Sequence, residues 1–419
     1  MLPPADGSST EGHQPTAVSG HRRQALAAGG QLHRDLIELR RDLHAHPELG
    51  FKEHRTAEVV ARSLRASGLE VAEGIGGTGV VATIHGTHPG NRAIGLRADM
   101  DAISVAEQTG LPYASRTAGV MHACGHDGHT AVLVGAARQL AEDPSFAGTV
   151  HVIFQPAEEG LGGAPAMIRD GLFERFPCDA VYALHTAPGI PIGSIVTTSG
   201  PMMAAAGIFE VSFSGRGGHG GQGAHLTADL TVVQANYVMA LQTVVARDLP
   251  AVESAVISVG YVMGGSAEAP NVMPSTVSLK GTVRCFSTDT QALVSRRIEQ
   301  LAESLATAYG ATATAQVVWI TPPLINPPGQ AEIVARAAAA AVGEQHVITS
   351  MPPITGGEDF GFMLEATPGA FLLLGNGTAP DGEVHNVHTP TFDFNDDAIP
   401  SGVAVWTSLI DQQLGPEQP

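Results

Sequence analysis

No stretch of about 18 consecutive apolar residues occurs in the 419-residue chain, which excludes a membrane-spanning helix. Basic residues are few, 22 Lys and Arg against 41 Asp and Glu, for a net charge of −19. That balance argues against nucleic acid or an anionic membrane surface as a partner. Cysteine is scarce as well. Cys124, Cys178 and Cys285 cannot all pair within the chain and lack framework spacing, so a reducing, cytoplasmic setting is expected. Residues 1–30 lack the apolar core of about 7–15 residues that marks a signal peptide, and read as a mobile leader. No Gly-x-Ser-x-Gly elbow is present, and no phosphate-binding loop follows a strand. Aromatics make up only 5% of the chain, while 50 glycines imply many tight connections around modest cores.

The segment Gly119 to His129 stands out: it holds His122, Cys124, His126, Asp127 and His129 among three glycines. Thiolate and imidazole are good ligands for divalent metals, and a neighbouring carboxylate can orient an imidazole. Cys124 and His126, one residue apart, share a face if the backbone is extended. A histidine-rich surface loop and a thiol nucleophile are the competing readings; the second leaves the surplus of His and Glu elsewhere unexplained.

The length suggests two domains. Helical spacing of Leu32, Leu36, Leu39 and Leu43 is interrupted at His46-Pro47 and resumes from Thr56 to Leu64. His44, His46 and Glu48 at that break read equally well as polar caps or as direct participants. Apolar runs at 79–84, 93–96, 149–154 and 179–184 read as strands, and a run of small residues at 130–140 as a helix. Polar residues sit just past the strand ends: Asp99 and Asp101, Glu158 and Glu159, and His185. In an α/β sheet those ends line one edge, where ligands collect.

The pattern changes near Ala204. Strands at 208–214, 255–262, 277–286 and 312–320, with helices at 226–245 and 291–309, follow the ferredoxin-like βαββαβ order. The expected fold class is therefore α/β: a catalytic α/β-sheet domain (31–203 and 319–419) with an inserted ferredoxin-like lid (204–318). Asn395 to Asp397 should cap a closing helix.

Cys124, His126, Glu159, His185 and His388 exceed the three protein ligands of a typical single catalytic zinc site. Two ions about 3.5–4 Å apart and sharing a ligand suit the set better. Such a pair polarises a carbonyl and lowers the pKa of bound water. On an extended segment Glu158 and Glu159 point opposite ways, so one can bind metal while the other moves a proton. Two solvated surface glutamates are the alternative.

His44-Ala-His-Pro-Glu-Leu, Arg97-Ala-Asp-Met-Asp, Ala123-Cys-Gly-His-Asp-Gly-His, Gln155-Pro-Ala-Glu-Glu-Gly, Gly217-Gly-His, Ala269-Pro-Asn-Val-Met-Pro, Glu358-Asp-Phe and His388-Thr-Pro occur in that order. With them the chain, from about residue 33 to 413, resembles the dinuclear metallo-amidohydrolases. These include hippurate hydrolases, bacterial N-acyl-amino-acid aminoacylases and plant indole-acetyl-amino-acid hydrolases. The resemblance implies hydrolysis of the amide bond of N-acyl amino acids, with two divalent ions (Mn, Zn, Co or Ni) per subunit. Cys124, His126, Glu159, His185 and His388 would be ligands, Cys124 the shared one, and Glu158 the general acid/base. Asp101 would orient a ligand, and His219 and Asn271 would stabilise the oxyanion, His219 by reaching across a dimer. Arg284 would grip the substrate carboxylate, and the lid would mediate a homodimer or higher oligomer. A dipeptidase or carboxypeptidase on unblocked peptides, and a non-catalytic metal-dependent binding protein, are the alternatives. The chain departs from the family at the loop Gly220 to Ala224, one residue longer than usual and without a proline, and at Leu230, where a proline is common.

Overall fold

A computed structural model describes residues 29–379 and 382–415. The expected leader falls outside them but for residues 29 and 30, and the first described helix begins at Gln31.

An eight-stranded sheet runs through the larger part of the chain. Its strands are β1 (Glu70–Ile75), β2 (Gly79–His85), β3 (His88–Asp99), β4 (Ala147–Gln155), β5 (Ala180–Pro188), β6 (Ile195–Val196), β15 (Val347–Ile348) and β16 (Gly369–Gly377), in the order β1-β2-β4-β3-β5-β16-β6-β15. The central four, β4-β3-β5-β16, are parallel.

Their apolar runs are continuous because both faces are buried. Val80, Ala82, Val150, Val152, Phe154, Tyr182, Leu184, Leu372 and Leu374 face the helices Gln31–Ala45, His54–Ala66, His126–Glu142 and Ile399–Leu414. The alternate residues Val81, Ile153, Val181, Ala183, Phe371 and Leu373 pack on the other face with Met167, Leu172 and Phe360.

β1 has no counterpart among the expected strands. Of Glu70-Val-Ala-Glu-Gly-Ile only Ile75 is fully buried, and Val71 and Ala72 are adjacent and do not alternate, so the segment shows no strand period and is held as an edge strand by pairing with β2. The helix expected from Thr130 begins earlier, at His126, because Gly125 adopts a left-handed conformation (φ 87°) and opens it there. The helix expected from Leu226 begins at Leu230, where the Asp229 carboxylate accepts from the amides of Thr231 and Val232. Asn395 accepts from the amide of Asp397 ahead of the closing helix, the cap its residue type suggests.

A separate four-stranded antiparallel sheet is formed by β8 (Ala205–Ser214), β10 (Ala255–Gly264), β12 (Thr276–Cys285) and β13 (Thr312–Thr321), in the order β10-β12-β8-β13. Helices Leu230–Thr243 and Thr288–Ala308 cover one face, burying Phe209, Val211, Leu279, Val283, Tyr237 and Ile298 in a core of its own. One short two-stranded ribbon joins β9 (Gly218–His219) to β11 (Val272–Met273), and another joins β7 (Gly200–Met203) to β14 (Leu324–Asn326). No helix among the described residues is long and apolar enough to cross a membrane.

Candidate metal centre

The carboxyl ends of the parallel strands deliver the site. Asp99 closes β3, Gln155 closes β4 with Glu158 and Glu159 following, and His185 lies inside β5, which continues to Pro188. Left-handed Gly125 turns the chain between Cys124 and His126. A Cβ there would lie 2.7 Å from Thr186 Cγ2, so the turn needs glycine on both counts. Cys124 and His126 therefore converge through a tight turn into a helix, not along an extended strand.

Glu158 and Glu159 also depart from the extended expectation. Ala157 is left-handed (φ 53°) and the two glutamates lie in a turn. Their carboxylates consequently enter the same cleft, where ligand atoms of His126, Glu158 and Glu159 all lie within 4.8 Å of one another.

Two donor triads meet at Cys124: Cys124–His126–His185 and Cys124–Glu159–His388. Cys124 Sγ lies 3.2 Å from His185 Nε2, and Glu159 Oε1 lies 3.1 Å from His388 Nε2 and 4.0 Å from His126 Nε2. The His185 ring donates from Nδ1 to the Thr186 carbonyl (2.7 Å), which leaves Nε2 as the ligating atom. His388 is left-handed (φ 65°) and its amide donates to the Ala123 carbonyl (2.7 Å), pinning it against the cysteine loop.

Asp101 is the common support. Oδ1 accepts from the Glu158 amide and Oδ2 from the Glu159 amide, each at 3.0 Å, while Oδ1 lies 3.3 Å from His126 Nδ1. One carboxylate thus orients an imidazole and both glutamates.

The electrostatics suit divalent cations. Burial first, then the charges of Glu159, Glu158 and Asp99, push the Cys124 thiol well above its usual range. Against the desolvation of its own burial, Asp99, Asp101 and Glu159 raise the His126 imidazole to about 10. With Nδ1 of His126 facing Asp101, its other ring nitrogen, Nε2, is buried without a hydrogen-bond partner. A thiol and an imidazole crowded by carboxylates, with donor atoms uncommitted, form a set that cations would complete. Glu158 is held well above the ordinary carboxyl range by burial and then by Glu358, Asp359, Glu159 and Asp101.

The remaining histidines of the motif are otherwise engaged. His129 donates to Asp99 Oδ1 (2.6 Å) and accepts from the Thr186 amide (2.8 Å), so neither nitrogen is open to metal. His122 is buried, its imidazole pushed down to about 4 chiefly by desolvation, and it joins no donor triad. His44 bonds Asp127 Oδ2 (2.8 Å) beside buried Arg40, which places it in the scaffold beneath the loop.

Arg97 is a further residue of the site, with a role its motif does not reveal. It is fully buried and donates to Asp99 Oδ2 (2.8 Å), Gln155 Oε1 (2.8 Å), Glu358 Oε1 (3.1 Å) and Asp359 Oδ1 (3.3 Å). It ties three carboxylates of the site into one network. A charged residue inside an apolar strand run was the signal for it in the sequence.

His219 belongs to none of the donor groups and lies with Asn271 at the β9–β11 ribbon: His219 pairs with Val272, and the Gly220 amide donates to the Asn271 carbonyl (2.9 Å). His219 Nδ1 accepts from the amides of Gly221 (3.0 Å) and Gln222 (3.1 Å) in the loop that follows it, so its proton resides on Nε2. Arg284, at the end of β12, is partly buried and donates to the neighbouring Val283 carbonyl (2.9 Å); it is not in contact with the donor triads.

Residues 95–412 match the model of peptidase family M20/M25/M40. The chain is 39% identical over 371 residues to the N-acetyl-L-cysteine deacetylase of Bacillus subtilis, covering 88% of this chain and 85% of that one. It is 36% identical to the hippurate hydrolase of Campylobacter jejuni, covering 89% and 94%. A solved structure, the Bacillus subtilis YXEP protein, a dinuclear metal binding peptidase from the M20 family, superposes with a TM-score of 0.79 at 34% identity, covering 91% of this chain and 98% of that one. A common fold, a common length and a donor set suited to two divalent ions lead to one conclusion: the chain belongs to peptidase family M20/M25/M40.

Proposed function

We propose that this chain hydrolyses the amide bond of N-acyl amino acids, releasing a carboxylic acid and an amino acid. The observation that carries the reading is the convergence of five candidate donors, the Cys124 thiol, the imidazoles of His126, His185 and His388 and the Glu159 carboxylate, with a sixth group, the Glu158 carboxyl, in the same cleft. The family and the names of its relatives place the chain among metal-dependent amidohydrolases. Cys124, His126, Glu159, His185 and His388 would hold two divalent ions, which when bound polarise a carbonyl oxygen and lower the pKa of water.

Glu158 takes the proton from the attacking water and hands it to the leaving nitrogen. Its raised carboxyl suits a group that must both accept and donate. Asp101 keeps that carboxyl in place through the amides of residues 158 and 159. His219, with its proton on Nε2, and Asn271 beside it supply donors to the oxyanion when the lid approaches. Arg284 is the cation for the substrate carboxylate.

The nearby acids favour a blocked substrate. Glu358 accepts at Oε1 from Arg97 and the Phe360 amide, and Asp359 accepts at both oxygens, from Arg97, Gln155 and the Ala164 amide, which leaves less carboxylate capacity for an α-ammonium group.

The decisive experiment is a substrate panel with Zn²⁺, Mn²⁺, Co²⁺ or Ni²⁺ added, since thiolate favours zinc while imidazole and carboxylate also suit the others. N-acetyl and N-benzoyl amino acids should show kcat/KM at least about 10-fold above unblocked dipeptides, a difference of about 1.4 kcal/mol in transition-state binding. Faster cleavage of the unblocked peptides would transfer the assignment to a peptidase. No turnover with any of the four ions would point to a binding protein.

The lid reads as the dimer contact. β10 is an open edge exposing Val256, Tyr261, Val262 and Met263, beside a helix exposing Val232 and Met239. Sedimentation velocity should give a dimer that Met239→Glu with Val262→Lys dissociates; a monomeric parent protein rules this contact out.

A further inference from the structure

Between β4 and the helix Gly163–Arg169 the chain bends through Ala157, whose left-handed conformation (φ 53°) is costly for a residue bearing a Cβ. The next two amides, of Glu158 and Glu159, go to Asp101. The Ala157 carbonyl accepts from the Gly163 amide (3.0 Å), and a Cβ on Gly163 would fall 1.6 Å from the Pro156 carbonyl oxygen, so that closure tolerates no side chain.

The Ala157 amide itself is taken by a residue 104 positions earlier: it donates to Glu53 Oε1 at 2.8 Å. The other oxygen, Glu53 Oε2, accepts from Thr78 Oγ1 at 2.5 Å. Glu53 is 0% exposed, although a lone buried carboxyl is disfavoured. It stands at the N-cap of the helix His54–Ala66, yet it does not cap that helix with its side chain. Glu48 does so instead, accepting from the amides of Arg55 (3.1 Å) and Thr56 (2.8 Å). The Glu53 carboxylate is thereby released to cross to the turn.

We propose that Glu53 is a positioning residue: it clamps Ala157 in the left-handed conformation that sends Glu158 into the cleft, and Thr78 braces the clamp. The inference rests on Glu158 being the general base.

The test uses the full-length, metal-loaded enzyme on an N-acyl amino acid. Glu53→Ala should lower kcat by about 10²-fold, the scale of a misplaced catalytic group, with KM within about 3-fold and metal content unchanged. Glu53→Gln keeps an oxygen for the Ala157 amide and should recover most of that loss. Adding Ala157→Gly to Glu53→Ala should regain about 10-fold in kcat, because glycine takes positive φ without penalty. A merely structural role would lower Tm without this rescue. If Glu53→Ala does not fold, Thr78→Val removes the brace, and kcat should fall about 5-fold, the scale of one lost hydrogen bond, at unchanged KM. An unchanged kcat in the folded variant, or a loss that Ala157→Gly does not reverse, overturns the proposal. Glu158→Gln is run alongside: if that variant stays active, the base assignment fails, not the clamp.

Discussion

Glu158→Gln should reduce kcat by about 10²- to 10⁴-fold, the span attributed to general acid–base catalysis, while the protein retains its two ions. The substitution preserves shape and an acceptor oxygen, so the amide of Asp359, which points at Glu158 Oε1 from 3.4 Å, keeps a partner. What is lost is the capacity to take up a proton, since an amide oxygen is far too weak a base. Glu158 belongs to neither of the two triads that share Cys124, so metal content should not move. KM should change little, because the carboxyl acts in the transition state and not in holding the ground state. Retention of more than about a tenth of the parent kcat would remove Glu158 from the mechanism. Metal lost together with activity would instead make it a ligand.

The candidate donors were readable because thiol, imidazole and carboxylate are conspicuous types, and Glu159 and His185 stand just beyond or within an apolar strand. Glu159 and His185 meet because parallel strands end on one edge, a consequence of fold class that alternating strands and helices reveal, and the Gly125 turn and the loop after β16 bring Cys124, His126 and His388 to them. What could not be read is how the backbone aims them. Nothing in the letters Pro156-Ala157-Glu158 announces a left-handed alanine, so an extended segment with opposed glutamates was the natural expectation.

Supporting residues were harder still. Glu53 and Thr78 act on Ala157 across three separate elements, and their partnership depends on which loops the fold brings together. Arg97 was visible only as a charge out of place. The edge strand β1 escaped because pairing, not apolar periodicity, holds it. In the second sheet the strand at 277–286 was readable, yet it left Arg284 without a partner that would reveal its task.

Replacement of Cys124 by Ala should have consequences that no other single ligand substitution matches. Cys124 is the member common to both donor triads, so its removal weakens two positions at once, whereas loss of His185 or His388 touches one. Elemental analysis should find about two ions per chain in the parent and fewer than one in the variant, with kcat/KM lower by about 10³-fold or more, since positioning and polarisation fail together. Cys124→Ser, nearly isosteric, separates packing from ligation: it should fold like the parent but still lose metal, because a neutral hydroxyl is a poor ligand for a site that calls on thiolate. The pH dependence carries a definite sign. Burial and the carboxylates of Glu159, Glu158 and Asp99 raise the thiol, so without cations Cys124 keeps its proton, and metal binding must expel it. Affinity in the parent should therefore weaken as pH falls, and the proton release measured on titration with Zn²⁺ should shrink in both variants. Two ions retained by Cys124→Ala, with unchanged proton release, would show that the thiol is a bystander and that the cleft is assembled around other donors.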